Sequence, residues 1–190
     1  MQPLAVVGNL SRDLVDGGPP RAGGAPFHAA RALRVLGRPA LVGAKCAHSD
    51  RDTLLTPLVR LGLPVLWRGG SSTATFRFHY EGDRRTMMVE ALGDPWEPAD
   101  LYGLERADWV HVGSLARSDF PARTLAELAP DRRISFDGQG LVRPARHDRG
   151  PTPSSLFTAG NAGADVEEAA RLERLGAPGG VGVMRIAAVD

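Results

Sequence analysis

Cysteine is nearly missing from these 190 residues: Cys46 stands alone, which excludes an internal disulfide and any cysteine-based zinc cluster. A reducing, cytoplasmic setting is expected. Lysine is as scarce, since all but Lys45 of the 23 basic side chains are arginines, spread along the whole chain. With 22 acidic side chains the formal net charge is +1, too small to favour a nucleic-acid backbone, and no nucleic-acid partner is expected. No stretch approaches the roughly 18 consecutive apolar residues of a membrane helix. The opening Met-Gln-Pro-Leu-Ala-Val-Val-Gly turns polar too soon for a signal peptide, so a soluble chain with no membrane partner is expected. Familiar chemical signatures are missing too: no Walker A loop, no Gly-x-Gly-x-x-Gly, no His-Glu-x-x-His and no Gly-x-Ser-x-Gly elbow. The five histidines, at 28, 48, 79, 111 and 147, show no i, i+4 ligand spacing, so no metal site is expected.

What is present suffices for one core. At roughly 150 residues per domain, residues 1–190 read as a single domain, and 43% hydrophobic content can fill it. Leu4 to Gly8 reads as a buried strand, and Gly17-Gly18-Pro19-Pro20 as a loop. Residues 26–36 read as a helix, with Pro26 at its start, Phe27, Ala30, Leu33 and Leu36 on one face, and Gly37 closing it. A strand over 41–45 follows, then a cap at Ser49 or Asp50, a helical face of Leu54, Leu55, Leu58 and Leu61, and a strand over 65–68. Pro57 predicts a kink in that helix or its restart from Thr56. From Thr73 the period drops to two, and the run to Glu90 reads as a hairpin whose apolar face carries Ala74, Phe76, Phe78 and Tyr80. A strand over 108–113, a helix over 121–128 capped by Ser118 or Asp119, and a strand over 134–137 restore the β-α-β rhythm. Beyond them come a linker over 143–153, a helix over 165–175 and a strand over 181–187. The alternation predicts an α/β fold: a mostly parallel sheet with helices on both faces, interrupted by an inserted hairpin.

In open α/β sheets, ligands collect outside the carboxyl ends of the strands, which singles out three segments. Asp13, in Gly8-Asn9-Leu10-Ser11-Arg12-Asp13, carries a carboxylate able to accept two hydroxyls of a polyol, or it is an Asx turn. Gly23-Gly24 before a helix lets backbone N–H groups approach a ligand, or is a flexible connection. Asp137-Gly138-Gln139-Gly140 through Arg143 follows another strand and faces the same crevice, or is a turn with an exposed arginine.

Together these residues resemble the ribokinase-like (PfkB) carbohydrate kinase family. The match runs over Gly8 to Asp13, over Gly23-Gly24-Ala25-Pro26-Phe27-His28-Ala29-Ala30 through Leu36-Gly37, over Ser71 to Glu90, over Ala107 to Gly113, and over Ser135-Phe136-Asp137-Gly138-Gln139-Gly140 with Arg143. It implies a Rossmann-type three-layer sandwich with a small β lid at about 9–20 and 71–92. The implied reaction is ATP-dependent phosphoryl transfer to a hydroxyl of a sugar or nucleoside, with Mg²⁺. The implied substrate residues are Asp13, Gly23, Gly24, His28 in place of the family's Asn, Phe78 on the lid, Asp137 and Arg143. Leu156-Phe157-Thr158-Ala159-Gly160-Asn161 resembles the strand before the family's Asn-x-x-Glu motif, which assigns Asn161 and Asp165 to the nucleotide. Ala164 stands at the Glu position, with Asp165 beside it. The family's Gly-Ala-Gly-Asp segment, with its catalytic Asp and anion hole, does not occur, so no catalytic residue is assigned and a truncated, impaired kinase is expected. The alternative is a non-catalytic sugar-binding module, or one in which Phe76, Phe78 and Tyr80 pair copies through the lid as a homodimer.

Overall fold

The computed structural model describes residues 4–82, 84–138 and 140. The first strand, β1 (Leu4–Asn9), is buried on both faces, as a central parallel strand must be. It pairs in parallel with β4 (Leu41–Ala47) on one side and β8 (Trp109–Gly113) on the other. The sheet is completed by β5 (Val65–Gly70) beside β4 and β9 (Arg133–Phe136) beside β8, in the order β5-β4-β1-β8-β9. Side chains alternate between its faces. Ala5, Val7, Val110 and Val112 pack with Trp96, Phe120 and Leu128 on one. Val42, Ala44 and Cys46 pack with Ala30, Leu54 and Leu58 on the other. The helices α1 (Ala25–Val35) and α2 (Arg51–Val59) cover this second face, while α3 (Ala122–Leu128) covers the first. The two directions of travel from the central strand, each with a right-handed crossover, put the helices on opposite faces. Burying a side chain such as Leu54 or Leu58 completely contributes about 1.5–3 kcal/mol.

A second, four-stranded sheet stands apart, in the order β3-β2-β6-β7. It is built from β2 (Ser11–Val15), β3 (Arg21–Gly23), β6 (Ala74–Glu81) and β7 (Arg84–Ala91). The hairpin read from the sequence is therefore only half of this lid. The other half comes from the lid segment that the resemblance implies at about 9–20: β2 runs parallel to β6 with Asp13 opposite Phe76, and the loop read at Gly17-Gly18-Pro19-Pro20 joins β2 to β3. Along β6, Ala74, Thr75 and Phe76 are all buried, and alternation sets in only beyond them, with Phe78 half-buried between exposed Arg77 and His79 and Tyr80 exposed as the strand leaves the body.

Several local readings need correction. Ser118 and Asp119 do not cap α3, whose N-cap is Pro121. Asp119 is buried and accepts the amides of Leu115 (2.8 Å) and Ala116 (3.3 Å), shaping the loop after β8. Asp50 sits at the N-cap of α2 without a capping bond and faces Arg12 at 3.5 Å instead. Leu36 lies outside the buried face of α1, 69% exposed, because the helix ends at Val35. Pro57 is accommodated inside an unbroken α2, with Arg60 N–H still donating to the Thr56 carbonyl. The linker, helix and strand read over 143–153, 165–175 and 181–187 lie outside the described residues.

Candidate functional site

The carboxyl ends of β1 and β8 meet the start of α1 at close quarters. A Cβ on Gly8 would collide with the Gly113 carbonyl and reach Pro26 Cγ at 3.2 Å, and one on Gly113 would strike Ala25 Cβ. These contacts bring the first turn of α1 down onto the strand ends. Gly24, its N-cap, has φ +93°, a left-handed conformation that L side chains avoid, and a Cβ there would run into the Asn9 carbonyl. The Gly23-Gly24 pair is thus required by space and by backbone geometry, not by flexibility.

Asp13 stands directly over Gly23, the first of this pair. Its Oδ1 accepts the Ser11 hydroxyl at 2.7 Å, and a Cβ on Gly23 would collide with its Oδ2 and with Ser11 Oγ. Two residues apart on β2, Ser11 and Asp13 share one face of the strand. The structure therefore brings Asp13, Gly23 and Gly24 together. The lid's apolar face closes from above, where Phe76 and Met87, with Phe78 and Val89, pack on Leu115 from the loop after β8. Phe76 and Phe78 lie 6.4 Å apart between ring centroids, and Arg85 sits over the Phe78 ring at 5.6 Å. Asp137 follows β9 directly, its N–H donating to the Val112 carbonyl at 2.9 Å and its own carbonyl accepting from Gly140. A Cβ on Gly140 would collide with the Ser114 side chain, so the segments after β8 and β9 are in contact. His28 is placed differently: it is exposed and lines, with Arg31, Ala32, Val35 and Leu36, a shallow groove on the outer side of α1. Arg143, Asn161 and Asp165 lie outside the described residues.

Beneath the crevice, three polar groups escaped the sequence reading. Asn9 is buried, its Nδ2 donating to the Asp94 carbonyl and its Oδ1 accepting from Trp96 Nε1, both at 3.1 Å. Lys45, the lone lysine, is also buried, donating to Asp100 at 2.6 Å and to the Pro95 carbonyl at 2.7 Å. Asp94 gathers the amides of Ser71 and Ser72. A tryptophan between Gly93 and Pro98 was the available signal, since so large a ring needs a polar partner for its N–H when buried.

Among the described residues, no three His, Cys, Asp or Glu side chains cluster as a metal site, and no step through Mg²⁺ can be built on them. Burial pushes the Cys46 thiol up, which leaves it protonated and a poor nucleophile. His111, its ring nitrogen 3.0 Å from Ser135 Oγ, is pushed down by burial against the opposing pull of Asp137. No helix of the described residues is long and apolar enough to cross a membrane.

No family sequence profile matches the chain, and neither does the sequence of any curated protein. Solved structures do. A pyrophosphate-dependent kinase in the ribokinase family, as its sulfate complex, superposes at TM-score 0.60 and 25% identity, over 76% of this chain and 52% of its own. A pyrophosphate-dependent kinase of the same family, complexed with a pyrophosphate analog and myo-inositol, gives 0.62 and 24%, over 77% and 52%. Fructokinase from Vibrio cholerae O395, bound to fructose, ADP and calcium, gives 0.57 and 21%, over 72% and 50%. The fold is thus the ribokinase-like α/β fold, and the chain spans about half the length of these structures.

The depressed His111 sets a pH dependence. Below the ordinary value of 6.5 the unfolded chain takes up a proton that the folded chain resists, so the contribution of His111 to stability is full above that pH and declines as pH falls. Urea unfolding at several pH values is expected to show a midpoint that drops on acidification, and less steeply in His111→Gln.

Proposed function

We propose that this chain is the acceptor-binding part of a carbohydrate kinase of the ribokinase type, holding a sugar, cyclic polyol or nucleoside between the lid and the carboxyl ends of the parallel strands. The observation that carries the reading is the seat of Asp13. Its carboxylate is held by Ser11 Oγ over the Cβ-less Gly23, at the junction of the two sheets. A carboxylate so placed accepts hydrogen bonds from two adjacent hydroxyls and orients the ring that bears them. Gly23 and Gly24 leave room for that ring, Phe78 offers an apolar surface to its C–H face, and Asp137 offers a second carboxylate at the end of β9. His28 enters the same reading only from the resemblance, because its side chain belongs to the outer stripe of α1.

The family resemblance supplies the donor side. ATP with Mg²⁺ brings the phosphoryl group to be transferred, with Asn161 and Asp165 toward the nucleotide and Arg143 toward the substrate. Among the structures similar to this chain, one holds ADP and calcium and another a pyrophosphate analog, which supports a phosphoanhydride donor. Transfer depends on positioning and on neutralising the developing charge. Because the Gly-Ala-Gly-Asp sequence does not occur in these 190 residues, transfer by them alone is expected to be weak.

Calorimetric titration with myo-inositol, fructose and a panel of nucleosides tests the acceptor reading. One of these is expected to bind, and Asp13→Ala to weaken it about 10- to 100-fold, as loss of a charge-assisted hydrogen-bond pair implies. Equal binding by wild type and Asp13→Ala would refute the assignment.

A second reading, pairing of two copies through the lid, is supported by the outer edge of β7, unpaired among the described strands, and by Tyr80, 47% exposed on the adjacent strand. Phe76 takes no part in it, since it is buried against its own chain's Leu115. Sedimentation is expected to give a dimer for wild type and a monomer for Tyr80→Arg; a wild-type monomer would dismiss this pairing.

A further inference from the structure

The chain passes between the parallel sheet with its helices and the lid four times: at 9–11, 23–25, 70–74 and 91–96. All four passages are tied at one place. The first is Asn9 itself, with the Leu10 N–H anchored on the Lys45 carbonyl at 2.9 Å. The second presses Gly24 against the Asn9 carbonyl, where no Cβ fits. The fourth is bound twice, through the Asp94 carbonyl and the Trp96 indole, to the Asn9 side chain. The third is bound to the fourth by Asp94, whose carboxylate accepts the Ser71 and Ser72 amides and the Ser71 hydroxyl at 2.9 Å, while Ser72 Oγ donates to the Leu92 carbonyl at 2.6 Å. Two glycines make the space: a Cβ on Gly70 would lie 2.6 Å from Asp94 Oδ2, and one on Gly93 2.8 Å from Asn9 Nδ2.

We propose that Asn9 and Asp94 form the hinge that fixes the lid's attitude over the crevice and, through β2, act as positioning residues for Asp13. The hinge itself is independent of the substrate; its consequence for binding rests on the acceptor reading above. Asn9 is suited to the role because its amide donates and accepts at once, satisfying a carbonyl on one strap and a buried indole N–H on the same strap two residues later. Burial alone would raise the Asp94 carboxyl, but the Ser71 and Ser72 hydrogen bonds and the Lys45 charge turn the net shift downward. Its bonds to the neighbouring strap are therefore charge-assisted at neutral pH. Asp94 is half-buried, and its carboxylate bonds to Ser71 and Ser72 on the neighbouring strap, not to the core, so its removal loosens the lid without hollowing the core.

Hydrogen exchange read by mass spectrometry on the full chain, without ligand, tests the hinge. Asp94→Ala is expected to speed exchange in peptides from β6 and β7 at least about 10-fold, with β4 and β8 unchanged. Asp94→Asn, which keeps one acceptor oxygen for the amides, is expected to fall between. Unchanged lid exchange would overturn the hinge, and so would an equal rise in β4 and β8, which would make Asp94 a mere contributor to global stability. Asn9→Ala, which strands the buried Trp96 N–H, is the harsher variant and is expected to reproduce the lid effect only where it folds; Asp94→Ala decides in its absence. Myo-inositol titration then probes the consequence. Binding weakened about 10-fold in Asp94→Ala supports positioning of Asp13, and unchanged binding by a loosened lid overturns it. If wild type binds none of myo-inositol, fructose and the nucleosides, the acceptor reading falls while the exchange result still decides the hinge.

Discussion

The crevice of this molecule depends on holding two sheets at a fixed angle through a narrow stem. The parallel sheet is rigid because β1 is covered on both faces and paired on both edges. The lid has no such cover. It rests on Leu115 through a small apolar face, touches the helical side through Ala22 and the Arg12–Asp50 pair, and is tied at its stem by polar groups around Asn9. Buried polar groups are costly unless they are fully bonded, so a satisfied cluster at the stem selects one arrangement of the straps over its competitors. Lys45 and Asp100 brace the loop behind it, an ion pair buried enough that losing either partner would leave an uncompensated charge.

Much of the parallel sheet was legible in the sequence. The strands β1, β4, β5, β8 and β9 and all three described helices announce themselves as apolar runs or stripes punctuated by Gly37, Gly62 or Pro121. The lid was only partly legible. Its hairpin alternates plainly, but β2 and β3 are short, polar and separated by a turn-rich loop; they become strands because β6 offers β2 a partner some sixty residues away. Register between distant segments leaves no mark in either one alone. The caps were half legible: Asp50 does stand at the N-cap of α2, though its carboxylate faces Arg12 and makes no capping bond, while Asp119 turns back to the Leu115 and Ala116 amides of its own loop.

For the site, the legible part was local. Asp13, Gly23 and Gly24 stand in short motifs whose geometry is set within a few residues, and they do meet. His28 follows them in the first turn of α1 but lies on that helix's outer stripe, since adjacent helical positions diverge by about 100°. Asn9 and Asp94 were missed because 85 residues separate them, and neither carries a pattern that points to the other. The polyol site proposed above would need both classes of residue: those that touch the hydroxyls, and those that keep the touching strand from drifting by an ångström.

The central claim is that a polyol lodges between Asp13, the Gly23-Gly24 turn and the lid. Backbone amide chemical shifts followed by NMR during titration with myo-inositol and fructose examine it most directly. The expected result is a saturable change confined to Ser11, Asp13, Gly23, Gly24 and the residues of β6 around Phe78, abolished in Asp13→Ala. Saturable changes centred instead on the outer groove of α1 at Arg31 and Val35, or no saturable change with either compound, would contradict it.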